Sequence, residues 1–142
     1  MLFRSKYPVR LSKPNKLVYS AHDYGPEVYP EQWFQVRKPS DLVHTLPVIW
    51  QKNWAYLLKI GTVPVILGEF GGGTTGPGTE GVWQNTLLSF LHTHEMSYTY
   101  WAWNADTTDT VGILQDNWKK INQDEVCLLH KSSILRNDAC ER

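Results

Sequence analysis

The stretch PVILGEFGGG, at residues 64–73, carries the clearest indication of the fold. The apolar run PVIL is typical of a parallel strand that is buried on both faces. A single carboxylate, Glu69, closes the run, and three glycines follow within four residues. We therefore predict a strand over Val63–Phe70 and a glycine-rich loop over Gly71–Gly81, with a carboxylate at the carboxyl end of the strand.

Segments of strand and helix character alternate on both sides of this stretch. Lys16–Tyr24 and Ser97–Asn104 have the composition of strands. Leu46–Ile60 and Val82–Thr93 have apolar residues at helical spacing, and Gly61 is placed to end the first helix. This alternation predicts an α/β fold in which crossover helices connect parallel strands.

The three predicted strand ends carry side chains suited to chemistry. His22 and Tyr24 share one strand parity, Glu69 ends the second strand, and Trp101 and Trp103 lie on the third. Because active sites of such folds lie at the carboxyl ends of the strands, we expect these side chains to meet there. Each also has a plain structural alternative: a loop glutamate, a core histidine and tyrosine, and core packing for the tryptophans. For one of the two tryptophans, we expect core packing.

Composition limits the class of protein. The 142 residues suffice for about one domain. Fourteen basic and fourteen acidic residues balance, so the basic excess of nucleic-acid binding proteins is missing. No apolar run is long enough for a membrane span, and the first residues lack the apolar segment of a signal peptide. Cys127 and Cys140 could pair or remain thiols.

Seven Trp and seven Tyr indicate either an aromatic core or a carbohydrate site, and composition does not separate the two. Gly71, Gly73 and Gly76 match the dinucleotide motif G-x-G-x-x-G. We predict no such site, because Pro77 and the residues after it separate the glycines from the helix that should hold the phosphate. The sequence HTHE at residues 92–95 lacks a third metal ligand at a recognised spacing, so no metal or cofactor is expected.

The ordered motifs H-x-Y, G-E-F-G and W-x-W-N, followed by D-T-x-G-I-L, resemble glycoside hydrolase family 5 in its cellulase (endo-β-1,4-glucanase) branch, over residues 7–133. The resemblance implies an α/β fold in which the chain forms about strands six to eight, with their helices, of a (β/α)8 TIM barrel. It implies retaining hydrolysis of β-1,4-glucosidic bonds in cellulose or related β-glucans, with Glu69 as nucleophile and His22 and Tyr24 as its catalytic neighbours. Gly68 and Gly71 are expected to leave room for the sugar.

By the same resemblance, Trp103 and, more weakly, Trp101 are expected to bind sugar. Trp33 is a further candidate for sugar binding, independent of the resemblance. The family barrel needs about 250 residues, and its Asn-Glu-Pro motif with the acid/base is missing from this chain. Retaining hydrolysis needs two carboxyl groups about 5 Å apart. We therefore expect a fragment that is inactive alone and requires an N-terminal half-barrel. The alternative is a non-catalytic carbohydrate-binding module or remnant that uses the same three tryptophans.

These expectations make residues 1–142 a single partial catalytic domain with a disordered tail over residues 134–142. The partners are a β-glucan or oligosaccharide and the missing half-barrel, with no nucleic acid and no membrane. Because the family is mostly secreted, the parent enzyme is expected outside the cell, although this chain has no signal peptide of its own.

Overall fold

The computed structural model describes residues 9–61, 63–73, 75–104, 109–131 and 140. Three strands, β1 (Tyr19–His22), β2 (Val65–Phe70) and β3 (Tyr98–Tyr100), form one parallel sheet in the order β1-β2-β3. The predicted parallel arrangement is therefore confirmed. The outer two strands are shorter than the sequence indicated, because β-type composition continues beyond the residues that pair with β2.

Two crossover connections join these strands, and both contain helices. The first holds the short 3₁₀ turns Gln32–Phe34 and Pro39–Asp41, then α1 (Leu42–Trp50) and α2 (Tyr56–Ile60). The second contains α3 (Thr79–Thr93). The chain after β3 leads to α4 (Gln123–Lys131).

The first predicted helix begins earlier than expected and changes its winding. It starts at Leu42, directly after a turn that Pro39 opens, and a π-helical segment over Gln51–Ala55 separates α1 from α2. Gly61 ends α2 with φ 66°, and its N–H bonds the carbonyl of Leu57. The predicted glycine cap is confirmed, since this left-handed conformation favours glycine.

The helices cover one face of the sheet and form the core with it. β2 contributes Leu67 and Phe70, both with no exposed surface, and α1 packs along α3 against them. The buried helical residues include large aromatic and aliphatic side chains: Leu42, Leu46, Trp50, Trp83, Leu87 and Leu91. On β1, burial alternates, and Ser20 and His22 are exposed. The opposite face of the sheet is therefore open.

Asp23, one residue beyond β1, fastens the end of that strand to the helices. Its Oδ1 accepts a hydrogen bond from the indole N–H of Trp83 at 2.9 Å, and its Oδ2 accepts one from Trp54 at 3.3 Å. Burial raises the pKa of Asp23 to about 6, although bonds from Trp83, Trp54 and Trp50 lower it in part. The π-helical segment supplies one of these donors, so it helps to fix β1 on the helix layer.

Near the C-terminus, Cys127 of α4 forms a disulfide with Cys140. This answers the question of cysteine pairing that the sequence left open. Apart from Cys140, the tail expected to be disordered, residues 134–142, lies outside the described residues. None of the helices in the described segments is long and apolar enough to cross a membrane.

Candidate active site

A β-bulge in β2 sets the direction of Glu69. Ala21 pairs with Leu67, and the next residue of β1, His22, pairs with Glu69, so β2 has one extra residue at this point. The register with β3 is irregular over the same residues. Because of the extra residue, Leu67 and Phe70 are both buried on the helix side, while Glu69 contacts the exposed His22.

The extra residue is Gly68, and the structure shows why it has no side chain. A Cβ at this position would overlap Oγ of Ser20 on β1. The carbonyl of Gly68 accepts a hydrogen bond from Oγ1 of Thr99 at 2.5 Å. Similarly, a Cβ at Gly71 would overlap the carbonyl of Trp101. The expectation that Gly68 and Gly71 provide clearance for a sugar is therefore wrong: they allow neighbouring protein segments to approach.

The structure brings His22, Tyr24 and Glu69 together. The hydroxyl of Tyr24 donates to Oε1 of Glu69 at 2.5 Å, and Nδ1 of His22 lies 3.8 Å from the same oxygen. Tyr24 reaches this position from beyond the end of β1, and the N–H of Asp23 holds the two segments together by donating to the carbonyl of Glu69 at 3.1 Å. This is a carboxylate with one oxygen held by a phenol.

The electrostatics of this pair favour a protonated tyrosine. Burial raises the pKa of Tyr24, and the hydrogen bond to Glu69 and its charge raise it further. Asp109 adds a smaller effect in the same direction. Tyr24 therefore keeps its proton at any ordinary pH and remains a donor to the carboxylate.

The predicted tryptophans differ in position. Trp101 and Trp103 follow β3 and are 46% and 66% exposed, so the expectation that one of them belongs to the core is wrong. β3 ends at Tyr100, and the next residue, Trp101, donates its N–H to the carbonyl of Phe70, directly beside Glu69. Trp33 is 37% exposed in the turn Gln32–Phe34, and its described ring contact is with Phe34.

Two buried carboxyl groups lie behind the site, and the sequence did not indicate them. Glu80, in the first turn of α3, is 2% exposed, and Glu125, in α4, is 1% exposed. Burial raises the pKa of both to about 7. The hydroxyl of Tyr100 donates to Glu125 at 2.8 Å. An acidic residue in the first helical turn ordinarily indicates only a favourable charge near the helix dipole, so the sequence carried no further signal.

The surroundings of the glycine loop are unsuited to phosphate. A Cβ at Gly72 would meet the carboxyl group of Glu80, and one at Gly73 would meet that of Glu27. Two acidic side chains thus lie against the loop in which a dinucleotide would need donors or positive charge. The contacts give a physical reason, in addition to spacing, for rejecting the dinucleotide motif.

Comparisons with known proteins find relatives of one kind. Residues 3–107 match the family model described as Cellulase (glycosyl hydrolase family 5). An endoglucanase of Paenibacillus polymyxa is 41% identical over 121 residues, which is 84% of this chain and 30% of that protein. The major extracellular endoglucanase of Xanthomonas campestris pv. campestris is 34% identical over 117 residues, 81% of this chain and 23% of that protein.

Solved structures show the same relationship. An endocellulase from Pyrococcus horikoshii, in a complex with cellotetraose, superimposes with a TM-score of 0.78 at 38% identity, over 89% of this chain and 34% of that one. The catalytic domain of the Xanthomonas enzyme gives a TM-score of 0.74 at 33% identity, over 84% of this chain and 34% of that one. The chain spans roughly a third or less of each of these proteins.

Proposed function

Because this chain belongs to glycosyl hydrolase family 5, a family of glycosidases with a TIM-barrel fold, we propose that it is the C-terminal part of a β-glucan hydrolase in which Glu69 is the nucleophile. The observation that carries the proposal is the hydrogen bond from Tyr24 to Oε1 of Glu69. The three parallel strands would be strands six to eight of the barrel, and the remaining strands would lie outside this chain.

The geometry suits a carboxylate that attacks an anomeric carbon. Tyr24 and His22 both lie at Oε1, and no described residue donates a hydrogen bond to Oε2. Oε2 can therefore form the bond to the sugar while Tyr24 steers the carboxylate. The resulting glycosyl-enzyme is later cleaved by water, and the two displacements retain the anomeric configuration.

The second carboxyl group of the reaction has no candidate among the buried acids of the described segments. Asp23 accepts hydrogen bonds from two indoles, Glu125 accepts one from Tyr100, and Glu80 accepts one from the backbone of Glu27. We propose that the acid/base comes from the part of the barrel outside this chain, and that Trp101 and Trp103 form sugar platforms beside Glu69.

The substrate would be cellulose or a related β-glucan, and the parent enzyme would act outside the cell. Two similar proteins support this: the Pyrococcus structure is a complex of an endocellulase with cellotetraose, and the Xanthomonas relative is an extracellular endoglucanase. We propose the same substrate class and location for the parent enzyme of this chain.

A chain with a nucleophile and no acid should behave like an acid/base-deleted glycosidase. Dinitrophenolate is a leaving group that departs without a proton, so we expect the chain to convert dinitrophenyl β-cellobioside, with azide present, to β-cellobiosyl azide. The chain alone should not hydrolyse soluble β-glucan. Addition of the upstream half of the Paenibacillus barrel should restore hydrolysis. Hydrolysis of β-glucan by the chain alone, abolished by Glu69→Gln, would place the acid/base inside this chain and contradict the proposal.

The exposure of Trp101 and Trp103 favours a second candidate, a non-catalytic carbohydrate-binding module that also uses Trp33. This candidate requires no chemistry from Glu69. It predicts equal affinity for cellotetraose in the unmodified chain and in Glu69→Ala, measured by titration calorimetry, together with no azide product. A chain that forms the azide product only when Glu69 is intact would exclude it.

A further inference from the structure

We propose that Glu80 is a positioning residue for the site: its carboxyl group ties the loop after β1 to the loop after β2 and thereby holds Tyr24 against Glu69. The inference rests on the proposed role of Glu69. We call this connection between the two loops through Glu80 the brace. It is a property of the fold and can be tested without substrate.

The carboxyl group of Glu80 lies between the two loops. Its Oε2 accepts the backbone N–H of Glu27, in the loop after β1, at 3.0 Å. Its Oε1 packs against the backbone of the loop after β2, because a Cβ at Gly72 would lie 2.5 Å from this oxygen. One side chain from a third element, α3, therefore contacts both loops.

Glycines on both sides confirm how closely the loops enclose this carboxyl group. A Cβ at Gly25 or at Gly72 would collide with the oxygens of Glu80. Gly25 directly follows Tyr24, and Gly72 is three residues beyond Glu69. The brace thus acts next to both members of the hydrogen-bonded pair.

The support behind the brace is rigid. Glu80 lies on a helix whose inner face is deeply buried, with Trp83 and Leu87 both at 0% exposure. Trp83 also binds Asp23, the residue that precedes Tyr24. Helix α3 therefore holds the end of β1 at two points, and Glu80 extends that hold to the glycine loop.

The protonation state of Glu80 should control this hold. Oε1 of Glu80 is buried, and no described residue donates a hydrogen bond to it, so the neutral form is favoured. Burial raises its pKa to about 7, and the charges of Glu27 and Glu125 add to the effect, while the backbone N–H groups of Glu27 and Gly73 oppose it. Tyr100, the other titratable neighbour, keeps its proton because burial and Glu125 raise its pKa.

With its proton on Oε1, Glu80 keeps Oε2 available for the N–H of Glu27. As the pH rises through the pKa, the buried carboxyl group becomes charged, so opening of the loops that exposes it to water becomes more favourable, and repulsion from Glu27 and Glu125 adds to this effect. The sign is that of an acid whose pKa is raised by folding: the stabilisation is complete below about 4.5 and is lost as the pH rises to about 7.

The first test is amide hydrogen exchange of the 142-residue chain. In the unmodified chain, protection of the Glu27 amide should fall several-fold between about pH 6 and about pH 8, after correction for intrinsic exchange. Glu80→Gln is a neutral replacement that keeps an acceptor oxygen, so its protection should not fall. Glu95→Gln, an exposed change at the far end of α3, should follow the unmodified chain.

The second test measures positioning. Glu80→Ala should slow glycosylation of Glu69 by dinitrophenyl β-cellobioside about tenfold at saturating substrate and leave its KM nearly unchanged, and Glu80→Gln should restore the rate. Unchanged amide protection and an unchanged rate in a folded Glu80→Ala chain would overturn the proposal. If that variant does not fold, a pH-dependent loss of protection in Glu80→Gln equal to that of the unmodified chain would overturn it. Failure of the proposed function would appear separately, as β-cellobiosyl azide that is still formed by Glu69→Gln.

Discussion

Asp23 and Glu69 are carboxylates at the ends of neighbouring strands, and they have opposite surroundings. Asp23 accepts hydrogen bonds from the buried indoles of Trp54 and Trp83, on the helix side of the sheet. Glu69 meets Tyr24 on the open side, where its side chain is 29% exposed. A backbone hydrogen bond from Asp23 to the carbonyl of Glu69 joins the two regions.

The two sides of the sheet therefore have different roles in this part of a barrel. The helix side is self-contained: Leu67 and Phe70 are fully buried against α1 and α3, and Asp23 finds its donors within the chain. On the open side, Ser20, His22 and Thr99 are exposed. Stability should therefore depend on the helix side, and chemistry on the open side together with the rest of the barrel.

The largest expected effect concerns chemistry alone. Glu69→Gln should lower the rate of azide-assisted glycosylation by at least about 10⁴-fold, because a carboxamide is not a nucleophile. The melting temperature should change little, since the side chain is partly exposed and lies outside the core. A variant with unchanged melting but persistent β-azide product would show that the open side does not act through Glu69.

The next effect concerns stability alone. Leu67→Ala should lower the free energy of unfolding by about 3 kcal/mol, measured with urea, because the side chain is fully buried. Ile66→Ala is the matched control, because the neighbouring Ile66 is only partly buried, and we expect about 1 kcal/mol. Equal losses at the two positions would contradict the division between the faces.

Titration of Asp23 should produce a smaller change on the helix side. Its pKa is raised from 3.8 to about 6, so its contribution to stability is complete below about 3.8 and is lost as the pH rises to about 6. The loss should be at most about 3 kcal/mol. In Asp23→Asn, the free energy of unfolding should no longer fall between about pH 3.8 and about pH 6. The fall near pH 7 that is due to Glu80 and Glu125 should remain. A curve that keeps its full slope in Asp23→Asn would contradict the assignment.

The smallest expected effect is on the reaction rate and concerns Tyr24, on the open side of the sheet. Tyr24→Phe should slow glycosylation about tenfold, the value of one hydrogen bond to a charged group, with little change in stability. Tyr29→Phe, at a side chain that is 65% exposed, serves as the control. If both variants react at the same rate, the phenol does not steer the carboxylate.

Much of the sheet could be predicted from the sequence, because local patterns determine it. The apolar run before Glu69 indicated a parallel strand, and helical spacing indicated the crossovers. Gly61 is recognisable as a helix cap because a cap of this kind depends on the backbone conformation of a single residue. The alternation of elements also predicted that His22, Tyr24 and Glu69 would meet at one edge.

The features that could not be predicted depend on contacts between residues that are far apart in the sequence. Gly68 and Gly71 looked like ligand clearance, but their neighbours are Ser20 and the carbonyl of Trp101. The bulge at Gly68 interrupts the register with β1, and the register with β3 is irregular over the same residues, which no local pattern encodes. Glu80 looked like an ordinary helix-start acid, because its partners lie in two distant loops.

The central claim is that Glu69, steered by Tyr24, is the nucleophile. The most direct measurement is mass spectrometry of the chain after incubation with a dinitrophenyl β-cellobioside whose 2-hydroxyl is replaced by fluorine, which traps the glycosyl-enzyme without needing an acid. We predict one cellobiosyl adduct, on Glu69, that is absent from Glu69→Gln and forms more slowly in Tyr24→Phe. An adduct on another carboxylate, such as Asp109 or Glu27, or an intact Glu69 after prolonged incubation, would contradict the claim.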